Sequence, residues 1–278
     1  MDSISKHGFH QIAYVEWGDP TASRLAVCVH GLTRQGRDFD PLASALADRG
    51  WRVICPDIVG RGRSGWLRDP QEYALPQYAM DMTVLISRAG IQKVDWIGTS
   101  LGGLIGVVMA GQEHSPVQTL VVNDIGPLVP WQALMRIGND IRSAPTSFRS
   151  YESAVAYYRR VLAPFGNLSH AEWDHLVRHS LGRDPDGGWR ALCDPGIAAV
   201  FRPVFFYNLS LWSYWDAIRC PTMVLRGAQS DLLLSSTASE MTRRGPRADL
   251  VEFTDCGHAP ALLDPHQIGV VTDWLAAA

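Results

Sequence analysis

The 278-residue chain has no apolar run long enough to span a bilayer and no lysine–arginine block. The first absence argues against a membrane span. The second, with a net charge of −3, argues against a nucleic-acid surface. Met1 to His10 is polar and offers no apolar signal-peptide core. Cysteine is scarce: Cys28, Cys55, Cys193, Cys220 and Cys256 are odd in number, scattered and without metal-ligand spacing. Three of them fall in or beside expected core strands, so they read as small buried hydrophobes. These features point to a cytoplasmic protein. Internal repeats and low-complexity linkers are also missing. Only 19% of residues are charged against 46% apolar, which supplies a sizeable core and carries no disorder signature.

What is present is an alternation of strands and helices, the pattern of a mostly parallel sheet covered on both faces. Strands are expected at His10–Glu16, Arg24–Val29, Trp51–Cys55, Val94–Ile97, Val117–Val122, Pro221–Gly227 and Asp249–Phe253. Helices are expected at Asp38–Arg49, Tyr73–Ala89, Gly103–Ala110 and Gln267–Ala277, with one more between the last two strands. From Pro127 to Tyr214 no strand run is convincing. The spacing there predicts helices over Arg136–Arg142, Tyr151–Leu162 and His170–His179, with Ser169 capping the third and Glu172 completing a capping box. One α/β unit, residues 1–126 and 216–278, is therefore split by a helical insertion, 127–215. Placed after a strand's carboxyl end, that insertion lies over the crevice where such sheets bind ligands, as a lid.

The strongest single motif is Gly98-Thr99-Ser100-Leu101-Gly102, a G-x-S-x-G between an expected strand and an apolar helix. A serine alcohol is a poor nucleophile at neutral pH and needs an adjacent base and a strained, exposed perch. Gly98 and Gly102 let strand and helix close tightly around that turn.

With His30-Gly31-Leu32 after one strand, Asp57-Ile58-Val59-Gly60-Arg61-Gly62-Arg63-Ser64 after the next, the serine turn, and Gly257-His258-Ala259-Pro260 after the last, the chain resembles the α/β-hydrolase-fold superfamily along nearly its whole length. The resemblance is to serine hydrolases, carboxylesterase-like, with a helical cap. It implies an α/β fold with a mostly parallel sheet, helices on both faces and a cap inserted after the sixth strand. It also implies the chain order serine, acid, histidine. Ser100 is the candidate nucleophile. His258, with an imidazole that titrates near neutrality, is the candidate base.

The acid has two candidates. Most members carry it three residues past the glycine ending the next-to-last strand. Here that position is Ser230, which cannot serve, and Asp231 follows. Other members use an aspartate–hydrophobic–small–proline turn after the preceding strand, and Asp124-Ile125-Gly126-Pro127 is similar, 24 residues past Ser100. Asp124 is favoured and Asp231 is the alternative. The backbone N–H groups of Leu32 and Leu101 are the expected oxyanion hole. Gly31 lets the backbone approach the substrate. His30 reads as structural, bonding loop backbone. Arg34 either meets a substrate carboxylate or pairs with Asp38 or Asp57, and Arg61 and Arg63 read as loop scaffolding. Leu32, Leu101 and Trp131 are expected pocket walls. Tyr157, Tyr158, Phe205, Phe206, Trp212 and Trp215 line an acyl pocket or form the lid's own core.

These residues imply cleavage of a small or medium apolar carboxylic ester through an acyl-enzyme. The same machinery serves lactones, amides and carbon–carbon bonds, since fold alone does not select the reaction. Serine at the elbow argues against the dehalogenase and epoxide-hydrolase branches. A non-catalytic ligand-binding protein on the same scaffold is the remote alternative. No metal or organic cofactor is implied. The expected partner is a small-molecule ester, with no nucleic acid or membrane, and the protein is a monomer or homodimer.

Overall fold

A computed structural model describes residues 1–201 and 207–278; Phe205 and Phe206 lie outside the described residues. A seven-stranded sheet forms the centre. Its strands are β1 (Tyr14–Trp17), β2 (Leu25–Val29), β3 (Arg52–Pro56), β4 (Val94–Thr99), β5 (Val117–Asn123), β6 (Thr222–Gly227) and β7 (Asp249–Phe253). They lie in the order β7-β6-β5-β4-β2-β3-β1, all parallel except the edge pair β1–β3.

The continuous apolar strands follow from burial on both faces. In β2, Leu25, Val27 and Val29 join one core, while Ala26 and Cys28 join the other. Helices α2 (Leu75–Ala89), α3 (Leu101–Ala110) and α8 (Ser235–Met241) cover the first face. Helices α1 (Asp40–Asp48) and α9 (Pro265–Ala277) cover the second, through Leu42, Leu46, Val271 and Leu275. Helix α2 stops at Gly90, whose φ of 73° suits the left-handed cap. The chain leaves β2 toward β3 and returns to β4 on its other side, so the carboxyl ends of β2 and β4 flank the crevice of such sheets.

The expected opening strand His10–Glu16 is divided. Gly8–Gln11 pairs with Asp2–Ser5 in a separate two-stranded sheet, and only Tyr14–Trp17 joins the main one. The run changes partner at Ala13: Ile12 and Met1 still bond each other's backbone at 2.8 Å, whereas the Ala13 N–H turns to Ser64 Oγ and its carbonyl accepts from Asp57 N. Within the seven-stranded sheet the insertion follows the fifth strand. With the two strands of the N-terminal hairpin counted it follows the seventh, so neither count gives the expected six.

Between β5 and β6 lie α4 (Trp131–Ser143), α5 (Tyr151–Val161), α6 (His170–His179) and α7 (Trp212–Ala217). Ser169 and Glu172 form the expected capping box on α6, and Ser150 with Ser153 forms another on α5. The expectation of a strand-free segment needs correction. Leu128–Val129 pairs with Leu209–Ser210, tying the points where the segment leaves and rejoins the core. Ser147–Phe148, Leu181–Arg183 and Trp189–Ala191 make a second small sheet. Strands of two or three residues are too short to display an alternating pattern. No helix among the described residues is long and apolar enough to cross a membrane.

Candidate active site

The sharp turn after β4 sets Ser100 at φ 52° and ψ −113°, a left-handed conformation costly for a residue with a Cβ. Its flanking glycines are required by space. A Cβ on Gly98 meets the Gly102 carbonyl at 2.3 Å, and one on Gly102 meets the Val29 carbonyl oxygen at 1.9 Å. Strand β4, helix α3 and the end of β2 therefore converge on bare backbone.

Ser100 Oγ lies 3.0 Å from His258 Nε2, and His258 Nδ1 lies 2.7 Å from Asp124 Oδ2. An ionised carboxylate only accepts, so Nδ1–H donates to Asp124 and Nε2 is left to accept the serine proton. Asp124 is fully buried at the end of β5. It accepts two further bonds, from Gly227 N at 2.8 Å and from Ser230 Oγ at 2.6 Å. Ser230 in turn accepts from the N–H groups of Leu232 and Leu233. Asn123 braces the loops around this line, its Nδ2 donating to Thr99 Oγ1 and to the Pro260 carbonyl. Asp231 lies apart: its side chain is 61% exposed and pairs with Arg136 of α4 at 2.7 Å.

Leu101 is the first residue of α3, so its N–H has no intrahelical acceptor and sits at the positive end of the helix dipole. Leu32 stands on the loop after β2. Among the described residues neither N–H donates to a protein acceptor. Gly31 lies beside the serine: a Cβ there would be 3.6 Å from Ser100 Cβ. The loop is held from behind. Fully buried Arg61 donates from Nε to the Leu32 carbonyl at 2.8 Å, and from Nη1 to the Val59 carbonyl and the Tyr78 hydroxyl. His30 Nδ1–H donates to the Gly31 carbonyl, and its Nε2 accepts from Ile58 N at 2.9 Å. Burial pushes the His30 pKa down to about 3, keeping the ring neutral. Asp57 accepts from Gly36 N and Arg63 N, which joins the same loop to the glycine–arginine turn.

Arg34 is buried and grips Asp38 through two bonds, at 2.7 and 2.8 Å. Its Nη1 donates to Ser180 Oγ at 2.9 Å, just past α6. Its donors face protein partners, and Asp57 is not among them. A cavity of about 20 Å³ lies beside the serine turn, lined by Gly31, Arg34, Phe39, Thr99, Phe165 and Pro260. Trp131 is half-buried at the start of α4, its backbone N–H on the Asn208 side chain. Tyr157 and Tyr158 pack on Phe148 inside the insertion. Trp215 is fully buried in the main core, and Trp212 lies under Arg244.

Sequence reasoning read Ser230 only as a position where the acid was missing. Its hydroxyl bonds Asp124, the favoured acid candidate, and its place three residues past Gly227 was the available signal.

Residues 27–265 match the sequence profile of the alpha/beta hydrolase fold. The chain is 45% identical to a 3-hydroxybutyrate-oligomer hydrolase of Cupriavidus necator, over 100% of this chain and 97% of that one. A putative hydrolase from Rickettsia typhi superposes with a TM-score of 0.91 at 31% identity, covering 98% of this chain and 93% of its own. An alpha/beta hydrolase from Novosphingobium aromaticivorans gives 0.86 at 31% identity, over 100% and 98% of the two chains. This chain belongs to the α/β hydrolase fold family and is one of its enzymes.

Proposed function

We propose that this enzyme is a serine esterase that cleaves esters of short hydroxy acids through an acyl-enzyme, with residues 127–215 as its lid. The observation that carries the reading is the unbroken line of hydrogen bonds from Ser100 Oγ through His258 to buried Asp124. Ser100 Oγ attacks the ester carbonyl while its proton passes to His258 Nε2. Asp124 holds Nδ1–H, fixes the tautomer and stabilises the imidazolium. The carbonyl oxygen, now negative, is met by the Leu32 and Leu101 N–H groups. The tetrahedral intermediate collapses, and the alcohol departs with the proton from Nε2. Water then gives a proton to Nε2, attacks the acyl carbonyl and frees the acid, and Ser100 recovers its hydrogen.

The substrate class is supported by the full-length likeness to the 3-hydroxybutyrate-oligomer hydrolase.

Two measurements test the reading. A fluorophosphonate should label the purified enzyme, and Ser100→Ala should abolish the label. A panel of 3-hydroxybutyrate dimers and trimers, short aryl esters, lactones, amides and ring-cleavage diketones should then show the highest kcat/KM on the hydroxy-acid esters. Absent labelling, with no turnover of any panel member, would leave a binding protein on this fold. Preference for an amide, lactone or diketone would overturn the ester assignment while keeping the nucleophile.

A further inference from the structure

Two histidines of α6, His175 and His179, stand four residues apart and so share one face of the helix. Their rings lie 4.5 Å apart between centroids. Facing them is Asp40, buried at the start of α1, with Oδ2 3.8 Å from His175 Nε2. Ligand atoms of all three lie within 4.8 Å of one another, and this is the one such group of histidine, cysteine and carboxylate side chains found among the described residues.

The hydrogen bonds around the group set which atoms can ligate. His179 Nδ1–H donates to the His175 carbonyl at 2.9 Å, which leaves Nε2 unprotonated, the outer-partner arrangement usual for metal-binding imidazoles. Arg37 Nε donates to both Asp40 oxygens, at 2.8 and 2.7 Å, and orients that carboxylate. His175 Nε2–H donates to the Arg37 carbonyl at 2.8 Å, so that bond must break and the ring proton move to Nδ1 when a cation takes Nε2.

We infer that Asp40, His175 and His179 form a binding site for a zinc-class divalent ion. Imidazole with one carboxylate suits zinc or cobalt and not magnesium or calcium, which prefer oxygen. Three protein ligands leave the fourth position to water. The site joins an inserted helix to the first helix of the core, beside the Arg34 bonds to Ser180 and Leu176. Bound zinc therefore pins α6 down and slows substrate entry. This last consequence rests on the esterase reading; binding does not.

The test uses the chelator-treated full chain with zinc, cobalt and magnesium chlorides. Calorimetry should show one zinc ion per chain, and zinc but not magnesium should raise the unfolding temperature by a few degrees. His175→Gln and His179→Gln, each folded without metal, should weaken zinc at least about tenfold and remove the thermal shift. Zinc should reduce kcat/KM on a short aryl ester in the wild type and spare His179→Gln. If wild type and the two variants bind zinc equally, the site is refuted. If binding is lost in the variants while turnover ignores zinc, the site stands and its control of entry falls. If the protein hydrolyses nothing, the calorimetric arm still decides the site.

Discussion

Ser230 Oγ and His258 Nδ1 bond the same oxygen of Asp124, at 2.6 and 2.7 Å. The serine therefore helps fix the carboxylate that fixes the imidazole. Removing a neutral donor to a buried charge costs about 1.5–3 kcal/mol. Ser230→Ala should lower kcat on a short aryl ester by about tenfold or more and leave KM nearly unchanged. Unchanged kcat would show that Gly227 N and His258 alone hold the acid.

The two aspartates separate cleanly by mutation. Asp124→Asn keeps the shape but removes the acceptor that sets the His258 tautomer, and a loss of about 10⁴ in kcat is expected. Asp231→Asn breaks only an exposed pair with Arg136 and should change kcat less than about twofold. Steady-state kinetics of both variants, with circular dichroism to confirm folding, reads this. The reverse ranking would move the acid to Asp231.

Two glycines near Ser100 should fail in different ways. A Cβ on Gly31 finds its nearest neighbour at 3.6 Å, ordinary contact, whereas one on Gly102 collides with backbone at 1.9 Å. Gly31→Val should fold with a near-normal unfolding temperature and lose about 10²–10³ in kcat by obstructing the oxyanion position. Gly102→Ala should not yield soluble folded protein. An active Gly31→Val enzyme would place the reacting carbonyl elsewhere.

His30 gives the fold a pH dependence of known sign. Its folded pKa is about 3 against 6.5 when exposed, so between these values the unfolded chain binds a proton that the folded chain refuses. Its contribution to stability is complete above pH 6.5 and is lost as pH falls toward 3. The slope is about 1.4 kcal/mol per pH unit in that window. Protonation at Nε2 would also break the bond from Ile58 N. Urea unfolding from pH 4 to 7 should show a shallower slope for His30→Gln than for the wild type. Equal slopes would mean that His30 titrates normally.

The sheet was legible because several of its parallel strands are nearly continuous apolar runs, as in Leu25–Val29. Ser100 and His258 were legible because their turns need glycine or proline at fixed offsets. The acid was legible only as a preference for Asp124, since Asp231 also sits just past a strand and three-dimensional register decides which of them faces His258. The small sheets of the insertion escaped because their partners lie far apart in sequence and each strand is too short to alternate. The opening strand failed at Ala13, where the backbone changes partner from the hairpin to Ser64 and Asp57 without any turn signal.

Arg34 stands on the same short loop as Leu32 yet spends one guanidinium nitrogen on Ser180, beyond the end of α6. The 127–215 segment, the proposed roof, and the Leu32 loop thus share a girder. Grafting a different roof onto this scaffold to change substrate choice would also withdraw support from beneath the reacting oxygen. A successful transplant must bring along an equivalent of Ser180, or retune the Arg34–Asp38 pair to stand by itself.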